Sequence, residues 1–199
     1  RDEEAIQPGP RRYTRSWIRD GALMASAALR MGWFEEAKQF IVWYAQYQET
    51  SGQIPWAIEK ITGDKLNDPP EHDNLGELIF AIAECYRFTQ DRDFLKQMES
   101  TVEKAVLKME SLLQESSRTK GFQGLLPESV SHEGYLFQPV HAFWDDFWAV
   151  RGLIDACYLA EEGSELKRHL SRYQKLKEEL KLNLFDSIQW VIDKNKLAD

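Results

Sequence analysis

Three separate stretches of this sequence place carboxylates next to tryptophan, arginine or histidine side chains. They are residues 17–20 (WIRD), residues 68–74 (DPPEHDN) and residues 121–148 (GFQGLLPESVSHEGYLFQPVHAFWDDFW). Carboxylates and guanidinium groups hydrogen-bond to sugar hydroxyls, while the apolar faces of sugar rings stack on aromatic side chains. Two carboxyl groups across a glycosidic bond are also the usual machinery for its hydrolysis. The combination therefore favours carbohydrate chemistry.

The candidate site residues come from these stretches and from the loop that contains Trp56. Two carboxylates, Glu128 and Asp146, are the candidates for catalysis. The residues that we expect to bind a sugar are Trp17, Arg19, Asp20, Trp56, His72, Asp73, His141, Trp144 and Asp145. The same stretches contain further carboxylates, a histidine and aromatic residues to which we assign no role: Glu71, His132, Glu133, Tyr135 and Phe137.

The Asp145-Asp146 pair is hard to explain as a solvent-exposed feature. It lies within residues 143–148 (FWDDFW), which places at least one of the two carboxylates beside an apolar face. A buried and unpaired charge is costly, so that carboxylate needs a cation, a hydrogen-bond donor or a catalytic role. Arg19 and Arg151 are the expected cationic partners.

Glu128 follows residues 125–127 (LLP), a sequence typical of a loop that is tucked against the core. Loss of water around a carboxyl group favours its protonated form, which a general acid needs. Simple solvent exposure is the alternative for Glu128, and Asp145 or Asp146 is a competing candidate for the acid.

Several candidates also have a structural interpretation. Asp20 is compatible with the N-cap of the helix that follows it, with Arg19 as its surface partner. Asp73 or Asn74 is compatible with another N-cap, and Asn74 followed by Glu77 resembles a capping box. Ordinary loop or core positions are the alternative for His72, Trp56, Phe143, Trp144 and Trp148.

Apolar residues recur with helical spacing along most of the chain, and convincing alternating strands are missing. The spacing predicts six helices, over residues 18–31, 35–49, 74–89, 92–114, 140–161 and 165–186. The first, third and fifth are apolar nearly all round and should be buried, whereas the others carry one apolar stripe and should face solvent. The two cysteines, Cys85 and Cys157, fall inside apolar helical runs and are expected in the core.

Short turns join each buried helix to the solvated helix after it, which predicts three antiparallel helical hairpins. The buried helices should then run parallel, with their starts at one end of the molecule. Longer loops, at about 50–73 and 115–139, should gather at that end. Sites usually lie on such loops. The three candidate stretches come together there in this prediction.

The overall charge restricts the partners. The chain has 25 Lys and Arg against 33 Asp and Glu, for a formal charge of −8, and it has no basic stretch. Nucleic acid and anionic membrane surfaces are therefore poor candidates, and a carbohydrate substrate is a better one. The sequence contains no apolar run of roughly 20 residues. No residue requires a cofactor or a bound metal such as zinc, although acidic loops leave calcium open.

Three segments resemble the six-hairpin glycosidases, the (α/α)6-toroid enzymes that include glucoamylases, trehalases and rhamnosidases. They are WIRDGAL from residue 17, GLLPESVSHEGY from residue 124 and HAFWDDFWAVRGLIDA from residue 141. The closest resemblance is to glucoamylase-like proteins of the family 15 type. It implies an all-α fold of antiparallel hairpins and inverting hydrolysis of a glycosidic bond by two carboxyl groups.

The resemblance also implies roles for particular residues. Arg19 and Asp20 would hold hydroxyls of the sugar just before the scissile bond, and Glu128 matches the position of the general acid. Residues 1–199 are expected to form a single helical domain with three of the six hairpins, a fragment that makes half of a toroid. The remaining half is the expected partner and would carry the general base. The alternative is a noncatalytic α-hairpin repeat or toroid module that binds protein or carbohydrate.

Overall fold

The computed structural model describes residues 5–7, 14–115, 119–130 and 138–196 of the 199-residue chain. These residues form six α-helices, close to the bounds that the spacing predicts: α1 (Ile18–Arg30), α2 (Phe34–Ala45), α3 (Asn74–Thr89), α4 (Arg92–Glu115), α5 (Phe143–Glu162) and α6 (Leu170–Asn195). A short 3-10 helix (Leu166–His169) leads directly into α6. The mostly helical class is confirmed.

Helices pair in sequence order, as predicted. The turn between α1 and α2 contains Gly32 with a φ of 87°, and the turn between α3 and α4 contains Gln90 in the left-handed conformation. α4 and α6 each bury one stripe, which is Leu95, Met98, Val102, Val106 and Met109 in α4 and Tyr173, Leu176, Leu180 and Leu184 in α6. The core therefore lies between an inner layer of α1, α3 and α5 and an outer layer of α2, α4 and α6.

The inner helices run parallel. Arg19 contacts Asp73 near the starts of α1 and α3, and Ser26 contacts Glu84 further along both helices. The contact of Trp144 with Asp73 joins the starts of α3 and α5 in the same way. The predicted gathering of the inner-helix starts at one end is confirmed.

A pair of glycines lets α3 and α5 approach closely. A Cβ atom added to Gly152 would lie 2.7 Å from the Cα of Gly76, and one added to Gly76 would overlap the backbone oxygen of Trp148. The two helix backbones touch at this point without side chains between them. Since Gly76 is three residues after Asp73, this contact fixes the distance between the starts of α3 and α5.

A small antiparallel sheet lies at the same end of the molecule, which the sequence analysis did not predict. Its strands are β1 (Arg15–Trp17), β2 (Ala57–Glu59) and β3 (Lys65–Leu66), in the order β1-β2-β3. Strands of two or three residues are too short to produce a recognisable alternation. The sheet attaches the loop after α2 to the residues that lead into α1, with Trp17 opposite Ala57.

Both cysteines are buried in the helical core, as predicted. Within the described ranges, no helix combines the length and apolarity that crossing a bilayer requires.

Candidate functional site

Arg19 lies at the centre of the end where the inner helices start. Its Nη1 donates to Oε2 of Glu71 at 3.1 Å and to Oδ2 of Asp73 at 2.9 Å. Nε1 of Trp144 donates to the same Oδ2 atom at 2.8 Å. Asp73 therefore connects all three stretches that the sequence analysis singled out.

Carboxyl groups outnumber arginine at this point. We call Arg19, Glu71, Asp73, Glu77 and Asp145 the acidic cluster. Burial alone would lower the pKa of Arg19, but the charges of Asp73, Glu77 and Glu71 outweigh it and raise that pKa. Three carboxyl groups act on this one guanidinium, and Asp145 adds a fourth carboxyl group beside Asp73 and Glu71, so one cation does not balance the cluster.

The pKa values of the cluster reflect that imbalance. Burial and then the charge of Asp73 raise the pKa of Glu71 to about 7, although Arg19 opposes both effects. Burial and the same charge raise the pKa of Asp145 to about 8, although a hydrogen bond from Ser129 opposes them. These groups can therefore exchange protons near neutral pH, which is the property that general acids and bases need.

Asp145 and Asp146 are both buried, and both hold the loop that precedes α5. Oγ of Ser129 donates to Oδ2 of Asp145 at 2.6 Å, and the backbone N–H of Leu126 donates to Oδ1 of Asp146 at 2.9 Å. Burial raises the pKa of Asp146 to about 7, and the bond from Leu126 opposes it. The expectation that one of these two aspartates is buried beside an apolar face holds for both.

The expected cationic partners of the Asp145-Asp146 pair are wrong. Arg19 pairs with Glu71 and Asp73, while Arg151 pairs with Asp155 and lies 3.9 Å from Glu84. Neutral donors bind the aspartates instead. Because these donors belong to residues 126 and 129, the pair fixes the loop that carries Glu128.

Glu128 is more exposed than the sequence analysis expects. Leu125 and Leu126 are buried, so that part of the loop is tucked in, but 54% of the Glu128 side chain is exposed. The expected burial of its carboxyl group is therefore wrong, and the alternative of solvent exposure holds, although Ser129 and Val130 after it are buried again. Oε1 of Glu128 lies 3.5 Å from Nε2 of His141.

Two histidines support this loop. His141 stacks on Phe122 with ring centroids 4.5 Å apart. His72 is buried and hydrogen-bonded to the backbone of Glu128, and burial lowers its pKa to about 4. A neutral His72 therefore connects the loop before α3 to the loop before α5, together with the bond from the N–H of Val130 to the backbone oxygen of Pro70.

The aromatic candidates divide into two groups. Trp17 and Trp56 pack with ring centroids 4.9 Å apart, and the guanidinium of Arg19 lies 5.7 Å from the ring of Trp17. Trp56 is nearly buried and donates to the backbone oxygen of Pro69, so it also supports the loop before α3. The second group lies on α5, where an apolar pocket of about 310 Å³ is lined by Trp144, Phe147, Trp148 and Arg151.

Neither Asp20 nor Asp73 makes the side-chain capping hydrogen bond that the capping interpretations imply. The N-cap position of α1 is Trp17, so Asp20 lies inside the first turn, where it is partly exposed. Asp20 has no hydrogen-bond or ion-pair partner within the described residues. Asp73 does occupy the N-cap position of α3, but its side chain makes no capping hydrogen bond, and Asn74 donates to the backbone oxygen of Ile54 at 2.7 Å instead.

The sequence analysis assigned no role to Glu71, Glu77 or Ser129, and it interpreted Glu77 as part of a capping box. One signal was available for Glu77: residues four positions apart, such as Asp73 and Glu77, lie on one face of a helix. Four other residues of the same stretches lie outside the described residues, namely His132, Glu133, Tyr135 and Phe137.

A second polar cluster lies further along the same inner helices. We call Arg30, Glu84, Arg87, Arg151 and Asp155 the arginine cluster. Burial would raise the pKa of Glu84, but its contacts with Arg30 and other donors lower it. Burial does raise the pKa of Asp155, against the opposing effect of Arg87 and Arg151.

The described residues contain no group of three or more His, Cys, Asp or Glu side chains placed to hold a metal ion. Comparisons with known protein families, with curated proteins and with solved structures found no match to this chain.

Proposed function

We propose that this chain is the carbohydrate-binding and acid-bearing part of an inverting, glucoamylase-like glycoside hydrolase. The observation that carries the proposal is the contact of Asp73 with both Arg19 and Trp144, which joins the starts of three parallel helices. It combines charged hydrogen-bonding groups with aromatic rings at one end of the molecule, as sugar recognition requires.

In this proposal, Arg19 and Asp20 hold sugar hydroxyls, and the aromatic residues Trp17 and Trp144 stack on the ring. The partial exposure of Asp20 and the absence of a partner for it among the described residues support its role as a ligand-binding carboxylate. The loops around the site are supported by His72, Trp56 and Asp145. His141 lies next to Glu128, the proposed acid.

Glu128 is the proposed proton donor, because it is the accessible carboxyl group on the loop that the surrounding contacts hold in place. Asp146 is the competing acid, with a pKa of about 7 because of burial. Inverting hydrolysis needs a second carboxyl group roughly 6.5–9.5 Å from the acid, with room for water. We assign that base to the remaining half of the ring.

Three further hairpins are the proposed partner that closes the ring. Large apolar side chains are exposed on both inner helices at the edges of the array. They are Leu23 (48%) and Met24 (42%) on α1, Met31 (59%) at its C-cap, and Phe147 (53%) and Ile154 (43%) on α5. Large apolar residues exposed along one edge are typical of surfaces that another structural unit covers. Both edges therefore support half of an (α/α)6 toroid.

The activity test uses the full-length protein and a panel of α-glucans and trehalose. We expect Glu128→Gln to lower kcat by about 100-fold or more, since general acid catalysis contributes at least that factor. Asp20→Asn should raise KM. Glu161→Gln, an exposed position near the end of α5, is the matched control and should leave both parameters unchanged. Unchanged turnover in both Glu128→Gln and Asp20→Asn would remove the assignment.

A noncatalytic sugar-binding module is the second candidate. It is favoured by the burial of most carboxyl groups in the acidic cluster, which keeps them from direct contact with a reacting bond. Calorimetric titration with the same sugars distinguishes the two functions. Binding that depends on Arg19, without turnover by the wild-type protein, would support the module and exclude the hydrolase.

A further inference from the structure

The carboxyl group of Glu77 belongs to the acidic cluster but has no role in the proposed function. It lies in α3, one helical turn after Asp73, and both side chains are fully buried. Both carboxyl oxygens of Glu77 lack a donor within the described residues, and so does Oδ1 of Asp73. The other oxygen of Asp73 accepts from Arg19 and Trp144.

One proton would satisfy these unpaired oxygens. Two carboxylates are both acceptors and repel each other, whereas a carboxyl group donates one O–H hydrogen bond to a neighbouring carboxylate. Glu77 lies four residues after Asp73, and its backbone N–H donates to the backbone oxygen of Asp73 at 3.0 Å, so the two side chains share one face of the helix. The remaining question is which of the two residues holds the proton.

The surrounding donors answer that question. Asp73 accepts from a guanidinium and an indole N–H, which stabilise its negative charge. Glu77 has neither. We propose that Glu77 keeps its proton at neutral pH and donates a hydrogen bond through it to Oδ1 of Asp73. Glu77 is then a positioning residue for the contact of Asp73 with Arg19 and Trp144.

The electrostatic surroundings agree with this assignment. Burial first, and then the charge of Asp73, raise the pKa of Glu77 well above its usual range. The other groups that act on it are Arg19 from α1, which opposes the shift, and Glu71, which adds to it. Tyr44 from α2 is also buried nearby; burial raises the pKa of its hydroxyl, and Glu77 would add to that shift only when it is ionised.

The consequence is that Asp73 has a fixed orientation before any ligand binds. Oδ1 is held by Glu77 and Oδ2 by the two other donors, so the carboxylate cannot rotate. This inference rests on the proposed function only in saying what the oriented carboxylate is for, namely to hold Arg19 and Trp144 against a sugar.

The test compares Glu77→Gln with Glu77→Leu in the full-length protein, without sugar. A glutamine amide can donate to Oδ1 of Asp73 but cannot ionise, so Glu77→Gln should keep the wild-type Tm near neutral pH. Its Tm should fall less steeply between pH 5 and pH 8 than that of the wild type. Glu77→Leu removes the donor and should lower the Tm at every pH.

A matched control lies two turns further along the same helix. Glu84 is also nearly buried, but it is ionised and accepts from Ser26 and from arginines. Glu84→Gln places an amide against guanidinium groups, so it should lower the Tm where Glu77→Gln does not. Equal loss of Tm in the two glutamine variants would contradict a protonated Glu77.

Infrared difference spectroscopy gives a readout that a purely structural role would not move. The spectrum of the wild type minus that of Glu77→Gln at pH 7 should contain the carbonyl band of a protonated carboxyl group. A carboxylate band in its place would overturn the proposal, even if Glu77→Leu does not fold. Neither measurement depends on sugar hydrolysis, so either proposal can fail without the other.

Discussion

The three inner helices carry two polar clusters with opposite balances of charge. In the arginine cluster, three guanidinium groups surround two carboxylates, Glu84 and Asp155. In the acidic cluster, Arg19 is the one guanidinium among four carboxyl groups. Both clusters join α1, α3 and α5, and Glu84 lies on the same helix as Glu77.

The two clusters therefore differ in how far their carboxyl groups are paired. The carboxylates of the arginine cluster have cationic partners, which lower the pKa of Glu84. In the acidic cluster, by contrast, oxygens of Asp73, Glu77 and Asp145 lack a donor within the described residues. Carboxyl groups with raised pKa values and unfilled hydrogen bonds are typical of functional sites.

The largest expected effect comes from breaking the arginine cluster. Arg87→Met removes a guanidinium that binds both Glu84 and the fully buried Asp155. An uncompensated buried charge remains, so we expect a loss of about 3 kcal/mol in the free energy of unfolding, measured with urea.

Glu71→Gln is the matched change in the acidic cluster. It removes a carboxyl group that the negative charge of Asp73 destabilises in its ionised form. The amide oxygen of the new glutamine can still accept a hydrogen bond from Arg19. We expect it to change the free energy of unfolding by less than about 1 kcal/mol. If Glu71→Gln costs as much as Arg87→Met, the two clusters do not differ in the way described.

The next effect concerns the glycine contact that lies between the two clusters. Gly152→Ala places a Cβ atom against Gly76 and should push α5 away from α3. Overpacking of this kind costs about 2 kcal/mol in the free energy of unfolding. Because Asp73 and Trp144 lie on opposite sides of this contact, sugar binding should also weaken.

A change at an exposed glycine is the control for that prediction. A Cβ atom on Gly32 meets no other atom within 4 Å, so only its positive φ opposes Gly32→Ala. That variant should lose some stability but keep the affinity for sugar. Equal losses of affinity in both variants would show that the helix contact does not set the site.

The pH dependence of stability should have opposite signs for the acidic cluster and for Glu84 of the arginine cluster. The folded-state pKa values of Glu71 (about 7) and Asp145 (about 8) lie above their unfolded values of 4.5 and 3.8. The folded protein therefore binds more protons, and its free energy of unfolding falls as the pH rises from about 4 to about 8. Each group contributes up to about 1.4 kcal/mol per pH unit in this window.

Glu84 gives the opposite response, because its pKa is lowered in the folded state. Its stabilisation is present above pH 4.5 and is lost as the pH falls through the lowered value. Urea unfolding at several pH values checks both signs, and Asp145→Asn should make the decline toward pH 8 shallower. A free energy of unfolding that rises between pH 5 and pH 8 would contradict the protonated state of the acidic cluster.

The helices were predictable because their signal is local. The stripe of Leu95, Met98 and Val102 can be recognised within two turns, and the short loops then determine which helices pair. The joint location of the candidate residues followed from the parallel inner helices. The ion pairs did not follow, since Arg19 binds residues 52 and 54 positions away.

Those pairs depend on the path of the loop before α3, which the small sheet and the bond from Trp56 to Pro69 determine. Strands of two or three residues leave no pattern in the sequence, so neither the path nor the choice of Glu71 over Asp145 as the partner of Arg19 was predictable. Glu77 was misinterpreted for a different reason: its spacing from Asn74 fits a capping box, and its spacing from Asp73 fits a shared helix face equally well.

The smallest expected effect tests whether the connection between α3 and α5 in the acidic cluster contributes to stability. Trp144→Phe keeps an aromatic ring next to Trp148 but loses the Nε1–H bond to Asp73. Arg19 still holds the same oxygen, so we expect a loss of only about 1 kcal/mol in the free energy of unfolding. Trp148→Phe is the control, because the indole N–H of Trp148 makes no hydrogen bond within the described residues.

The affinity for sugar should distinguish the two variants more clearly than stability does, since of these two residues Trp144 is the one that combines an aromatic ring with a bond to the carboxylate that Arg19 binds. If both variants lose the same stability and the same affinity, the ring explains both results and the connection through Asp73 contributes nothing measurable.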